Sequence, residues 1–390
     1  MKQWKWAAVA ASCAVVLAGC GGASDGANTT PKTVVTSAKI FGDSIMDSGT
    51  FGFKFTIQSA DAANPFLIFP EVVAANFGAP KLCPFFNFNG TTFLPNTACT
   101  SFAVGGGRIN NLTNASAPGN NNPFSITYQM AVGSATLAPT DLVIVDGGGN
   151  DLADLTGAYL GATTPAGIST YIGLLSTLLP PATVSAIIGT PTPTSLGTAA
   201  GAYAQALGTT LAASVKANIV AKGVTKVVVI NAPDITVTPR FLAVLSAVAA
   251  AGGTAQRDAV QAAARAWTAA FNTSLTAGLA GTGVQVYDFY GQGALIAATP
   301  SQFGLSNVTT PACPKVAGGL DTTTGQASLS LPATVAACNS ASMSANIPVG
   351  ETSANWWKAY AYSDNFHPTP ALHQLIGQSI NLQLAKAGWL

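Results

Sequence analysis

The chain has 390 residues, room for one large domain or two small ones, and 48% of them are hydrophobic, enough for a sizeable core. Only 8% carry charge, against about a quarter in ordinary soluble proteins, so the surface must be built mainly from Thr, Ser, Asn, Gly and Ala. A formal net charge of +1 with no basic run leaves no electrostatic footprint for nucleic acid, and that class of partner is excluded.

The first twenty residues read as an export signal. Lys2 and Lys5 form a positive start, and Ala7 to Leu17 form an apolar stretch of signal-peptide length, too short to span a bilayer comfortably. Leu17-Ala18-Gly19-Cys20 resembles a bacterial lipobox, in which the cysteine is lipidated and becomes the mature N-terminus. A plain secretory signal is the alternative. Gly21 and Gly22 follow where Gram-negative lipoproteins bound for the inner membrane carry aspartate, which favours the outer membrane. The expected organisation is a lipoprotein signal peptide over 1–19, a small, polar, flexible tether over 20–36, and one folded domain over 37–390. A monomer held at the cell envelope by lipid on Cys20 follows from this reading, since acyl chains there anchor firmly.

Ile40-Phe41 begins the folded region as a short strand, and Gly42-Asp43-Ser44 follows it. A serine at the end of a first strand points to where open α/β sheets build their sites, although the tripeptide alone is an ordinary turn. Ser101 to Gly107 (SFAVGGG) offers exposed backbone N–H groups. The run Leu142-Val143-Ile144-Val145 reads as a buried strand and leads into Gly147-Gly148-Gly149-Asn150-Asp151, where glycines allow a tight turn and Asn150 can donate a side-chain N–H. Residues 161–200, rich in Thr, Pro, Gly and Ala, read as a loop insertion with short helices beside the site mouth. Strands are expected at Val227–Ile230 and Val284–Phe289. Leu207, Leu211, Val215 and Ile219 recur at helical spacing, as do Val260, Ala264, Trp267, Phe271 and Leu275, and later Leu372, Ile376, Ile380 and Leu384. The alternation argues for a doubly wound α/β layer structure, with 80–100 and 301–350 as loop-like stretches.

Export would leave Cys83, Cys99, Cys313 and Cys338 in an oxidising compartment, where an even count reads as disulfides. Three connectivities are possible, and pairing of neighbours gives Cys83–Cys99 and Cys313–Cys338. No Cys-x-x-Cys occurs and the chain has two histidines, so no metal is expected. No Gly-x-Ser-x-Gly elbow follows a predicted strand, and there is no His-Glu-x-x-His or Walker loop. His367 lies in Ser363-Asp364-Asn365-Phe366-His367, where a spacing of three lets Asp364 reach one imidazole nitrogen while the other faces outward. His373 falls within the last helical pattern and reads as structural. Asp47 reads as a stabiliser of the loop after Ser44. Trp356, Trp357, Tyr360 and Tyr362 either line a substrate pocket or, as is commoner, pack.

Taken together, these pieces resemble the GDSL family of esterases and lipases, also called SGNH hydrolases. Its four blocks appear in order: Gly42-Asp43-Ser44, Gly106 in Ala103-Val104-Gly105-Gly106, Gly149-Asn150-Asp151, and Asp364-x-x-His367. The resemblance implies a single-domain α/β fold, a flavodoxin-like three-layer α/β/α sandwich with a mostly parallel sheet. It implies Ser44 as nucleophile, His367 as general base and acid, and Asp364 as its orienter. Backbone N–H groups of Ser44 and Gly106 and the Asn150 amide would form the oxyanion hole, and no cofactor is required. A closer likeness, to the Gram-negative autotransporter esterases and the phospholipase/lecithinase branch, rests on Asp47, Asn231-Ala232-Pro233-Asp234 and the Phe303-Gly304 to Cys313 stretch. The chain departs from that branch in having Ser101 where Asn is usual, and in ending soon after His367 without a barrel, which implies tethering by lipid. The expected activity is an exported, lipid-anchored carboxylesterase or lipase acting on a small-molecule or lipid ester. A carbohydrate O-acetyl esterase, or a phospholipase or acyltransferase, is the alternative on the same fold. A non-catalytic surface binding lipoprotein is disfavoured because every block is intact.

Overall fold

In the computed structural model of the chain, the described residues are 34–113 and 117–390; the expected signal peptide, Cys20 and the tether as far as residue 33 lie outside them. The central sheet has four parallel strands in the order β1 (Ala38–Phe41), β4 (Leu142–Val145), β5 (Lys226–Ile230) and β6 (Gln285–Tyr287), with β2 (Phe86–Phe88) and β3 (Phe93–Pro95) forming a separate antiparallel hairpin. Ala38 aligns with Leu142, Leu142 with Lys226, and Val228 with Gln285. Continuous apolar runs suit such strands because both faces are covered.

The period of two along each strand sorts its side chains into two cores. Phe41, Val143, Val145, Val227 and Val229 face the helices Gly149–Gly161, Pro193–Asn218 and Pro239–Leu279. Ile40, Leu142, Ile144, Val228 and Ile230 face Phe69–Asn76, Phe289–Ala298 and Pro370–Lys386 on the other side. Three layers result, as the family resemblance implies. The three helical repeats read from the sequence lie in helices, save that Ile219 caps the end of Pro193–Asn218, and the long helix, Pro239–Leu279, is broken at Gly253. A third, smaller core joins Phe55, Ile57, Leu329, Met343, Trp356 and Trp357 around the Cys313–Cys338 disulfide, in a loop-rich cap that also holds β7 (Asn307–Pro311) and β8 (Tyr360–Tyr362). Cys83 pairs with Cys99, so both disulfides join sequence neighbours.

Two elements differ from the sequence reading. The strand expected over 284–289 shortens to Gln285–Tyr287 because Asp288 turns outward to cap the next helix, accepting the Gly291 N–H. Residues 161–200 are mostly helical: Pro165–Leu175, Pro181–Ile188 and the start of Pro193–Asn218, each opening on a proline whose missing N–H costs nothing in a first turn. Tyr171, Leu175, Val184 and Ile188 are buried there against the long helices, so the segment thickens one outer layer.

Candidate active site

β1 ends in a turn that several side chains hold from behind. Gln129, fully buried on the helix Ile126–Gly133, accepts the Gly42 N–H at 2.9 Å and donates to the Gly42 carbonyl at 3.0 Å. Asp146, just past β4, accepts the Asp43 N–H at 3.0 Å. A Cβ on residue 42 would overlap the Asp146 carboxylate, which is why glycine opens the turn. Ser44 thereby sits at the carboxyl edge of the sheet.

From the other end of the chain comes the loop between β8 and the last helix. His367 Nε2 lies 2.8 Å from Ser44 Oγ, and His367 Nδ1 lies 2.9 Å from both carboxylate oxygens of Asp364. A carboxylate can only accept, so Nδ1 carries the proton and Nε2 is left to accept from the serine hydroxyl. Asp364 also accepts the backbone N–H groups of Phe366 at 2.9 Å, His367 at 2.7 Å and Leu329 at 2.6 Å. Burial by itself would raise this carboxyl; the charge and hydrogen bond of His367 and the backbone donors outweigh it and hold Asp364 below the usual carboxylate range. The chain of bonds is shielded, since Asp364 is 0% exposed, Ser44 4% and His367 5%, and the Phe55 ring packs 5.0 Å from the imidazole.

The glycine loop lies against the serine turn, with Gly107 packed on Gly42 and Asp43. Asp47 Oδ2 takes the Gly105 N–H at 2.8 Å, and the Gly107 N–H closes on the Val104 carbonyl at 2.9 Å. Between them Gly106 has φ +79°, the left-handed region that favours glycine. No described hydrogen bond occupies the Gly106 or Ser44 N–H, which leaves both available to a developing anion. Asn150 stands beside them, but here its amide donates to the Gly107 carbonyl at 3.0 Å and to Asp43 Oδ2 at 3.3 Å. Binding an oxyanion at Asn150 therefore displaces one of these bonds, and the longer one to Asp43 is the weaker.

Asp47 acts as the sequence reading expects, accepting the Gly49 and Thr50 N–H groups while reaching across to Gly105; burial pushes its carboxyl up to about 6. His373 is fully buried, accepts the Phe69 N–H at 3.3 Å and stacks on that ring; burial pushes it down to about 3, so it stays neutral. Trp356 and Trp357 are core residues whose indoles donate to the Met343 carbonyl and to Ser344. Of the four aromatics singled out before Asp364, Tyr362 alone lines the cleft beside the serine.

Three positions escaped sequence reasoning, and a fourth, Asp151, was read only as part of the third block and given no role. Gln129 has been described. Asp146 carried a weak signal, a charge straight after an apolar strand; burial, and after it the neighbouring Asp43 charge, push its carboxyl well above its usual value. Arg108 donates to the Gly106 carbonyl at 2.7 Å and pairs with Asp154 at 2.7 Å, steadying the glycine loop from outside. Asp151 accepts the Ile109 and Asn110 N–H groups and joins the second and third blocks.

A cleft with a cavity volume of about 80 Å³ opens beside the serine turn. Its walls include Asp43 and Ile45 on either side of Ser44, Gly147 and Gly149 of the Asn150 loop, and Phe366 and Pro368 on either side of His367. The family model described as GDSL-like Lipase/Acylhydrolase matches residues 40–380, a span that takes in all five of Ser44, Gly106, Asn150, Asp364 and His367. No curated protein matches the sequence.

Proposed function

The chain belongs to the GDSL-like lipase/acylhydrolase family and is thus an ester-hydrolysing serine hydrolase; from that premise we propose that Ser44, His367 and Asp364 carry the reaction. The observation behind this is the continuous hydrogen-bonded chain from Ser44 Oγ through His367 to Asp364. Ser44 Oγ attacks the ester carbonyl carbon while its proton passes to His367 Nε2. The Ser44 and Gly106 N–H groups, and the Asn150 amide once it leaves Asp43, receive the negative charge on oxygen. The C–O bond to the alcohol then breaks and Nε2 returns the proton to the departing oxygen, leaving an acyl-serine. Water gives its proton to Nε2 and attacks the acyl carbon; the acid leaves and Ser44 regains its proton.

The reading extends to export and anchoring through Cys20 in the cell envelope, at the outer membrane. The charged start, apolar stretch and lipobox-like Leu17-Ala18-Gly19-Cys20 support it, as do two disulfides, which persist in oxidising compartments. Labelling with a small fluorophosphonate tests the chemistry: wild type should be modified at Ser44 and Ser44→Ala should not. Wild type that resists as fully as the variant overturns the assignment. Cys20→Ser should move the protein from the membrane fraction to the soluble one, and an unchanged distribution overturns the anchor.

A further inference from the structure

Two buried carboxyls meet behind Ser44, Asp43 from the turn after β1 and Asp146 from just past β4. Asp146 Oδ1 accepts the Asp43 N–H at 3.0 Å. Asp43 Oδ1 accepts the Ile45 N–H at 3.1 Å, and Oδ2 takes the Asn150 amide at 3.3 Å. The two carboxyls also lie within hydrogen-bonding reach of each other. Two carboxylates cannot make that bond, because each only accepts; a carboxyl holding a proton offers a donor as well. The contact therefore calls for one proton between them, and the surroundings say which residue holds it. Burial pushes both carboxyls up. The Ile45 N–H, His367 when protonated, Arg108 and the bond to Asp146 pull Asp43 back towards its charged form, whereas the Asp43 charge pushes Asp146 further up. Both border the cleft beside the serine, where the other described titratable side chains are Tyr362 and Asp234, the latter paired with Arg265 at 2.8 Å.

We propose, building on the serine-hydrolase reading above, that Asp146 is a positioning residue: it carries a proton and donates it to Asp43, so that the pair holds a single negative charge. Sharing that charge steadies the turn presenting Ser44 and loosens the hold of Asp43 on Asn150, whose amide must leave it to meet the oxyanion. Without the proton, two charges would face each other behind the nucleophile and Asp43 would grip the amide harder. Asparagine at 146 reproduces the protonated acid, its oxygen accepting the Asp43 N–H and its NH2 donating to the carboxylate. Alanine does neither.

Infrared spectra of protein carrying carbon-13 aspartate read the proton directly. At about pH 8, Asp47 and Asp151, which burial pushes up to about 6, are ionised. Wild type should still show an isotope-shifted protonated-carboxyl band there, and Asp146→Asn should remove it. No such band, or one that survives in the variant, overturns the proposal. With p-nitrophenyl acetate, Asp146→Asn should keep kcat within about threefold of wild type, while Asp146→Ala should lose at least about tenfold in kcat with KM held within about twofold. An asparagine variant as damaged as the alanine one, or an alanine variant with full kcat, overturns it as well. If alanine prevents folding, the asparagine variant and the infrared band decide alone. Wild-type Ser44 that reacts with a small fluorophosphonate confines any such failure to Asp146. Wild type that resists the reagent overturns the serine-hydrolase reading and, with it, the role built on it.

Discussion

Asp364→Asn removes one negative charge and changes little in shape, yet the bonds around it make it a demanding substitution. The carboxylate accepts three backbone N–H groups and the imidazole Nδ1–H, dividing them between two oxygens. Asparagine has one carbonyl oxygen. If that oxygen stays with Phe366 and His367, the new NH2 faces the Leu329 N–H, which sits 2.6 Å from the oxygen it replaces. Two donors then point at each other in a fully buried place, costing about 1–3 kcal/mol of stability. If the amide rotates, the clash moves to the other two N–H groups. The NH2 can also donate to Nδ1, which forces the ring proton to Nε2 and leaves Ser44 without a base. Loss of the correct tautomer lowers kcat by about 10³–10⁴, or about 4–5.5 kcal/mol of barrier at 1.36 kcal/mol per tenfold. Stopped-flow release of p-nitrophenol measures the rate, and urea unfolding followed by circular dichroism measures stability. A folded variant within tenfold of wild-type kcat would refute the assignment of Asp364, and unchanged stability would refute the hydrogen-bond accounting.

Arg108→Met frees the Gly106 carbonyl and should lower kcat about tenfold at a stability cost near 1 kcal/mol; an unaltered kcat rejects a positioning role. His373 titrates near 6.5 when unfolded and at about 3 when folded, so its contribution is present above pH 6.5 and is lost as pH falls from there towards 3. Wild type should therefore weaken relative to His373→Gln by about 1.4 kcal/mol per pH unit between pH 6 and 4, measured by urea unfolding at each pH; a pH-independent difference rejects the buried neutral imidazole. Replacing Cys313 and Cys338 by Ser opens a loop with a sequence separation of 25 and should cost about 3.5 kcal/mol, against about 3.1 for the separation of 16 at Cys83 and Cys99. It should also depress kcat more than the Cys83/Cys99 variant, because Leu329 in that loop holds Asp364; equal kcat losses would sever that link.

What could be read from the sequence was what local chemistry dictates. Leu142–Val145 announces a buried parallel strand by being apolar throughout, and Ser44, Asp364 and His367 announce themselves by residue type and spacing. Elements whose ends depend on a single cap were harder: Asp288 stops β6 early for a hydrogen bond three residues on. Residues 161–200 misled because their prolines read as breakers, although at the first turn of a helix proline is favoured. Gln129 and Arg108 gave no signal. Gln129 works through a partner 87 residues away, and nothing in its own neighbourhood marks it. The engagement of the Asn150 amide by Gly107 and Asp43 is likewise a matter of how three separate loops meet.

Ser44 and His367 are 323 residues apart in sequence. Synthesis runs from the N-terminus, so on the roles proposed above a growing chain carries its nucleophile early and acquires its base only near the end. A fragment that stops before the loop at 364–367 can hold all four strands of the central sheet and still lack the partner of Ser44. With those roles, the serine gains its partner only once the segment before the last helix is in place. Turnover of a fluorogenic ester would accordingly serve as a gauge of how many chains in a preparation have folded to completion.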